Sequence, residues 1–198
     1  MVAKPDWSTP FSNLISLRLL QEAGLPHDVL QIVTGSGEVV GGAISQKCDY
    51  LMFTGSTQTG KILGKTVGER LVGDSAELGG KNPMIIAPDA DIEKHIDTIA
   101  TACFSNSGQL CVSIERIYVP ESIYDEFLRA FQRATESIVL GKGLNWGYTM
   151  GSLIGPEQLD RVQGLVDDAR AKGATVLTGG KPRPDIGPYL SLIHISDG

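Results

Sequence analysis

Tyr50-Leu51-Met52-Phe53-Thr54-Gly55-Ser56-Thr57-Gln58-Thr59-Gly60-Lys61 passes from an unbroken apolar run, through a small-residue turn, into a helix-forming segment. An apolar run of this length bounded by a turn reads as a buried strand. The turn that follows opens a helix, whose first N–H groups lack partners and whose N-terminus carries a partial positive charge. A strand feeding a helix in this way is the unit of an α/β fold with a parallel sheet.

The rest of the chain repeats that alternation. Val2-Ala3-Lys4 reads as the end of a strand, stopped by Pro5. A helix is predicted over Ser8 to Ala23, with Ser8 or Thr9 as cap, Pro10 in the first turn and Phe11, Leu14, Ile15, Leu19 and Leu20 as an apolar stripe. Leu30 to Val33 reads as a strand, Glu38 to Ser45 as a helix, and Leu71 to Glu77 and Met84 to Ala87 as further strands. Beyond Asp91 come a helix to Cys103, a strand over Ile114 to Val119, an amphipathic helix over Ser122 to Ile138, another over Pro156 to Lys172, and a strand at Thr175 to Thr178. The domain boundary is placed near Leu78. Residues 1–77 form one α/β block and 78–190 a second, and 191–198, which has no clear structural role, is expected to be a non-native tail.

The 198 residues carry 41% hydrophobic and 20% charged side chains, with a net charge of −6. No basic excess exists to neutralise phosphates, which argues against a nucleic-acid partner. No apolar stretch approaches the ~20 residues of a membrane span. Cys48, Cys103 and Cys111 are widely spaced, which suits a reducing cytoplasm, and His27, His95 and His194 show no metal-ligand spacing.

Gly35-Ser36-Gly37-Glu38-Val39-Val40-Gly41 approaches the dinucleotide fingerprint G-x-G-x-x-G, with the third glycine one residue late, and reads more simply as a strand-to-helix turn. Gly55 to Lys61 matches the P-loop spacing, but Ile62 stands where Mg²⁺ needs a hydroxyl. A dinucleotide pyrophosphate site is therefore preferred over a triphosphate site. Cys48 and Cys103 lie in apolar surroundings and read as structural. Cys111 follows the polar loop Ser105-Asn106-Ser107-Gly108-Gln109, which can turn backbone N–H groups towards an oxyanion. Glu77 lies in an otherwise uncharged loop with Gly79 and Gly80; partial burial there would make it a base near neutral pH. A thiol and a carboxylate so placed can attack a carbonyl carbon and hydrolyse the thioester that results.

These runs together resemble the aldehyde dehydrogenase superfamily. Phe53-Thr54-Gly55-Ser56 with Gly60 is similar to its cofactor-loop motif, Glu77-Leu78-Gly79-Gly80-Lys81 to its glutamate motif, and Phe104-x-Asn106-x-Gly108-Gln109-x-Cys111 to its cysteine motif. The likeness extends from about residue 2 to residue 190. The wording of Cys48 to Ser56, Ser75 to Ile85 and Ala102 to Asn106 resembles the bacterial succinate-semialdehyde dehydrogenase branch. The resemblance implies parallel sheets with flanking helices, in part of a cofactor domain and part of a catalytic domain.

It also implies NADP or NAD as cofactor and a small-molecule aldehyde as substrate. Cys111 would be the nucleophile, its N–H half of an oxyanion hole, and Glu77 the base that activates water. Gly55 and Ser56 would hold the pyrophosphate, Lys4 would reach the adenosine ribose, and the backbone of Leu78 would meet the nicotinamide end. Trp7 stands where the family usually places a small or acidic residue beside the ribose 2′ position, and decides neither cofactor. The family's opening and closing parts, including the segment used to form homo-oligomers, have no counterpart here, so the 198 residues alone are expected to be inactive.

Overall fold

The computed structural model describes residues 1–143, 146–183, 185 and, as backbone, 194–196. The chain divides into two compact units, Met1–Gly79 and Gly80–Gly198.

In the first unit, β1 (Val2–Ala3) pairs in parallel with β2 (Gln31–Ile32), and α1 (Pro10–Glu22) connects them. Pro10 sits in the first turn, where its missing N–H costs nothing, and Gly24 leaves the helix at φ +101°. Thr9 is the capping residue, without a side-chain bond to the helix. The stripe expected to face a core does not: Phe11, Ile15 and Leu19 are well over half exposed. A two-stranded ribbon of two residues per strand is too narrow to cover it. A short π-helical turn (Gly37–Gly41) runs into α2 (Gly42–Ser45).

β3 (Tyr50–Gly55) pairs in parallel with β4 (Gly73–Leu78), and α3 (Thr57–Glu69) crosses between them. Leu51 and Val67 are buried. Tyr50 and Met52, on the alternate positions of β3, are exposed, so this strand is buried on one face and not on both. Its far face has no covering layer among the described residues. Arg70, just past α3, donates to the carbonyls of Ser45 (2.9 Å) and Cys48 (2.8 Å) and ties the end of α2 to the end of α3.

The second unit has the better core. β5 (Asn82–Ile85) pairs in parallel with β6 (Ile114–Tyr118). Two helices, α4 (Ile92–Phe104) and α5 (Tyr124–Glu136), pack beside them. Ile92, Ile96, Ile99 and Cys103 of α4 meet Phe127, Ala130, Phe131 and Ala134 of α5 in one buried cluster, with Met84, Ile114 and Ile117 of the sheet against it. The 3.6-residue spacing of the α5 stripe accounts for this packing. Asp91 caps α4 by accepting from the Lys94 N–H at 3.1 Å.

α6 (Pro156–Ala171) buries Val166, while Leu165 is exposed, and Gly173 at φ +94° ends it. β7 (Thr175–Thr178) pairs antiparallel with β8 (His194–Ser196). Part of the segment expected to have no structural role therefore completes a strand pair. The rest of 191–198 and the expected boundary at residue 190 lie outside the described residues.

Candidate functional site

Candidate residues occur in both units. In the first, the ends of β3 and β4 lie side by side. Thr54 is opposite Glu77, and Gly55 is opposite Leu78. Glu77 is the penultimate residue of β4, which runs one residue beyond the end of the predicted strand, and it is exposed rather than partly buried. Strand pairing has claimed its backbone. β3 and β4 form a two-stranded sheet, so no third strand screens the carboxylate among the described residues.

Ser56 caps α3. Its hydroxyl accepts from the Thr59 N–H at 3.2 Å and donates to the Thr59 hydroxyl at 2.9 Å. The first turn of α3 contains no acidic residue. Gly60 lies against Leu78: a Cβ built on it would stand 2.6 Å from Leu78 Cδ2. A Cβ on Gly55 would meet the Phe53 ring at 2.5 Å. Phe53, Gly55, Ser56, Gly60, Glu77 and Leu78 thus gather at one end of the β3–β4 pair. The N-terminus of a thirteen-residue helix, approached through a glycine, suits an anionic pyrophosphate. That donor set fits the dinucleotide.

Lys4 follows β1. Its ammonium donates to the carbonyls of Pro5 (2.6 Å) and Gly35 (3.2 Å), pinning the strand end to the Gly35 turn. Gly35 has φ +143°, and a Cβ there would stand 2.7 Å from Val40 Cγ2. Ser36 caps the following turn by accepting from the Val39 N–H at 3.2 Å. This is the strand-to-helix turn that the simpler reading of Gly35 to Gly41 expects. Beside Lys4, Asp6 accepts from the hydroxyl and the N–H of Ser8. These two bonds, in that order, hold its carboxyl below the usual carboxylate range, and the Lys4 charge adds to them. Trp7 is 73% exposed.

In the second unit, α4 delivers the chain into a tight turn. Phe104 closes the helix and its ring stacks on Phe131 at 5.8 Å, which anchors the entry. Asn106, Ser107 and Gly108 then take φ values of 53°, 59° and 72°. Three successive left-handed residues, two of them not glycine, store strain that neighbouring bonds must hold. Gln109 supplies them. Its amide nitrogen donates to the Asn106 carbonyl at 3.0 Å, and its amide oxygen accepts from the Ile154 N–H at 3.3 Å. The Ser107 hydroxyl donates to the Gly151 carbonyl at 2.8 Å. Cys111 follows, with its thiol exposed.

Cys103 contrasts with it. Buried inside α4, its thiol is pushed up to about 11 by desolvation, the inert behaviour expected of a structural cysteine. Two residues that sequence reasoning passed over also matter here. Asn82 donates from its amide nitrogen to the carbonyls of Cys111 (2.6 Å) and Ser113 (2.8 Å). Ser113 is buried, and its hydroxyl has no hydrogen-bond partner among the described residues. The only signal for Asn82 was its place in Gly79-Gly80-Lys81-Asn82-Pro83, next to glycines and a proline. No cluster of three metal-ligating side chains, and no helix long and apolar enough to cross a membrane, occurs among the described residues.

A protein of Mycolicibacterium smegmatis named putative succinate-semialdehyde dehydrogenase, NADP(+), is 53% identical over 188 residues, which are 95% of this chain and 36% of that protein. A Mycobacterium tuberculosis protein named putative succinate-semialdehyde dehydrogenase, NADP(+), 2 is 55% identical over 190 residues, covering 96% of this chain and 37% of that protein. The chain thus spans a little over a third of the length of these curated relatives. Among solved structures, the M. tuberculosis aldehyde dehydrogenase complexed with NAD+ superposes with a TM-score of 0.94 at 31% identity, covering all of this chain and 41% of that one. The Staphylococcus aureus betaine aldehyde dehydrogenase in complex with NAD+ gives a TM-score of 0.91 at 34% identity, covering 98% of this chain and 40% of that one. The aldehyde dehydrogenase family model matches residues 1–191, and the chain belongs to the aldehyde dehydrogenase family.

Proposed function

We propose that this chain carries the nucleophile, the base and the pyrophosphate turn of a cytoplasmic, homo-oligomeric enzyme that oxidises succinate semialdehyde to succinate with NADP or NAD. The observation that carries the reading is the exposed Cys111 thiol on a turn braced by Gln109 and Ser107. The names of the mycobacterial relatives support the substrate and favour NADP.

Cys111 Sγ, as thiolate, attacks the aldehyde carbon, and the carbonyl oxygen takes the negative charge of a thiohemiacetal. The Cys111 N–H donates to that oxygen, and a donor set aimed at developing charge is the largest common source of rate. The hydride of the thiohemiacetal carbon would leave to a nicotinamide, which is the chemistry that bound NAD(P)+ would supply. Glu77 then takes a proton from water, which adds to the thioester and releases the carboxylic acid and the thiolate. Gly55 and Ser56 would hold the pyrophosphate at the α3 N-terminus, Lys4 and Trp7 the adenosine ribose, and the Leu78 backbone the nicotinamide end.

The test is a segment exchange. The M. smegmatis relative has its matching third replaced by residues 1–191, and aldehyde-dependent NADPH formation is followed. The exchanged enzyme should keep activity with succinate semialdehyde, and Cys111→Ala should abolish it. Undiminished turnover in that variant would remove Cys111 from its role. Glu77→Gln should retain a single-turnover burst of NADPH and lose about 10²–10⁴ in the steady state. For the 198 residues alone the expected rate is at least about 10²-fold lower, because the Cys111 N–H is one oxyanion donor where two are needed; robust turnover by the purified chain would contradict this.

A further inference from the structure

Asn82 opens β5, and both hydrogens of its amide are committed. One bond goes to the Cys111 carbonyl at 2.6 Å and the other to the Ser113 carbonyl at 2.8 Å, on either side of Val112. The Ser113 N–H donates to the Leu110 carbonyl at 3.1 Å, so the turn from Leu110 to Ser113 is closed internally and clamped from outside. The sheet is arranged to permit this. Asn82 pairs with Ile114, and the register slips between Asn82 and Pro83, which pairs with Arg116. Pro83 has no N–H to lose from the ladder, so the irregularity falls where it costs least.

Gly80 completes the arrangement. A Cβ there would stand 3.0 Å from Asn82 Oδ1, tighter than ordinary contact, so glycine leaves room for the amide oxygen while the nitrogen points at the turn. An asparagine amide can be assigned either way round, but two carbonyl acceptors within 2.8 Å settle the nitrogen on the turn side.

We infer that Asn82 is a positioning residue for the nucleophile. The bond to the Cys111 carbonyl fixes the peptide plane that follows Cys111, and with it the backbone angle that aims Sγ. The bond to Ser113 stops the turn from swinging on its exit side. The proposal rests on the reading of Cys111 as nucleophile, but the clamp itself does not.

Hydrogen exchange on the 198-residue chain tests the clamp without turnover. Asn82→Ala should speed exchange in the peptide covering Asn106 to Ser113 by about tenfold or more, the effect of two lost hydrogen bonds, and leave the Phe127 to Ala134 peptide unchanged. Asn82→Ser, which keeps one donor on a shorter arm, should fall between. In the segment-exchanged enzyme, Asn82→Ala should lower kcat about tenfold or more with the aldehyde KM and the NADP Kd within about twofold, and Asn82→Ser should recover part of the loss. Unchanged exchange at the turn, exchange that accelerates equally in the α4–α5 core, or a local change with kcat intact would each overturn the inference. If Cys111→Ala proved active instead, the nucleophile assignment would fall while the exchange result stood.

Discussion

The two turns that carry the candidate chemistry are held in opposite ways. The Gly55–Ser56 turn is held by one side-chain hydroxyl, that of Ser56 on Thr59. The Cys111 turn is braced by three side chains. Asn82, Gln109 and Ser107 each bond a backbone group, and three left-handed residues are forced into a tight loop. An anion site works by offering unpaired N–H groups, so binding would lose from further bracing. A nucleophile must be aimed, and a misplacement of about 1 Å can cost 10²-fold. The first turn is an open cap; the second is a fixed mount.

The same contrast runs through the supporting cores, and the largest predicted effect lies there. Phe131 is 3% exposed and stacks on both Phe104 and Phe127. Phe131→Ala should destabilise the second unit by about 3–5 kcal/mol. Because Phe104 leads directly into the Cys111 turn, alkylation of the normally buried Cys103 should become fast. Slow Cys103 alkylation and an unchanged urea midpoint would show that the mount does not depend on this stack.

Cys103 gives the next effect. Its ordinary value of 9.0 is raised to about 11 by burial. Below about pH 9 the thiol is neutral folded or unfolded, and its contribution is constant. From there to about pH 11 the unfolded chain ionises first, so stability falls as pH rises, and above it the loss levels off. Between pH 8 and 10.5 the wild-type chain should lose about 2 kcal/mol more than Cys103→Ala loses, measured as urea midpoints. Equal losses would mean that Cys103 is solvated.

Where a sequence pattern is periodic, it announces its own packing. The α5 stripe of Phe127, Ala130, Phe131 and Ala134 is legible as a core face, and it is one. The α1 stripe is just as legible and lies exposed, because periodicity says which face is apolar and not what covers it. Cys111 and the turn at Gly55 and Ser56 could be picked out from residue type and local order. Asn82 could not, since its bonds span 29 and 31 residues and depend on β5–β6 register. Glu77 was legible as a residue at the end of a strand, but its exposure was not, because that depends on what lies beside the β3–β4 pair.

Gly108 sharpens the difference between the turns. Its φ is +72°, yet a Cβ there would meet nothing closer than the Cys103 carbonyl at 3.7 Å. The space is available and the conformation is not. Gly108→Ala should cost about 1–2 kcal/mol through backbone strain alone. It should also shift the Cys111 alkylation rate more than that of Cys48. A neutral effect would mean that the loop relaxes to negative φ, and so is not a fixed mount.

Ser56→Ala should give the smallest change. The cap loses its bond to Thr59, about 1 kcal/mol of helix stability, while Ser56→Gly should cost only a few tenths. Dinucleotide affinity discriminates further. An open cap predicts that Ala loses affinity only through fraying of the first turn of α3, so that Gly binds more tightly than Ala despite lacking the same hydroxyl. If Gly and Ala lose affinity equally, the hydroxyl itself contacts the ligand. The Gly55–Ser56 turn would then be less open than its hydrogen bonds suggest, and the contrast with the Cys111 turn would narrow to their backbone angles.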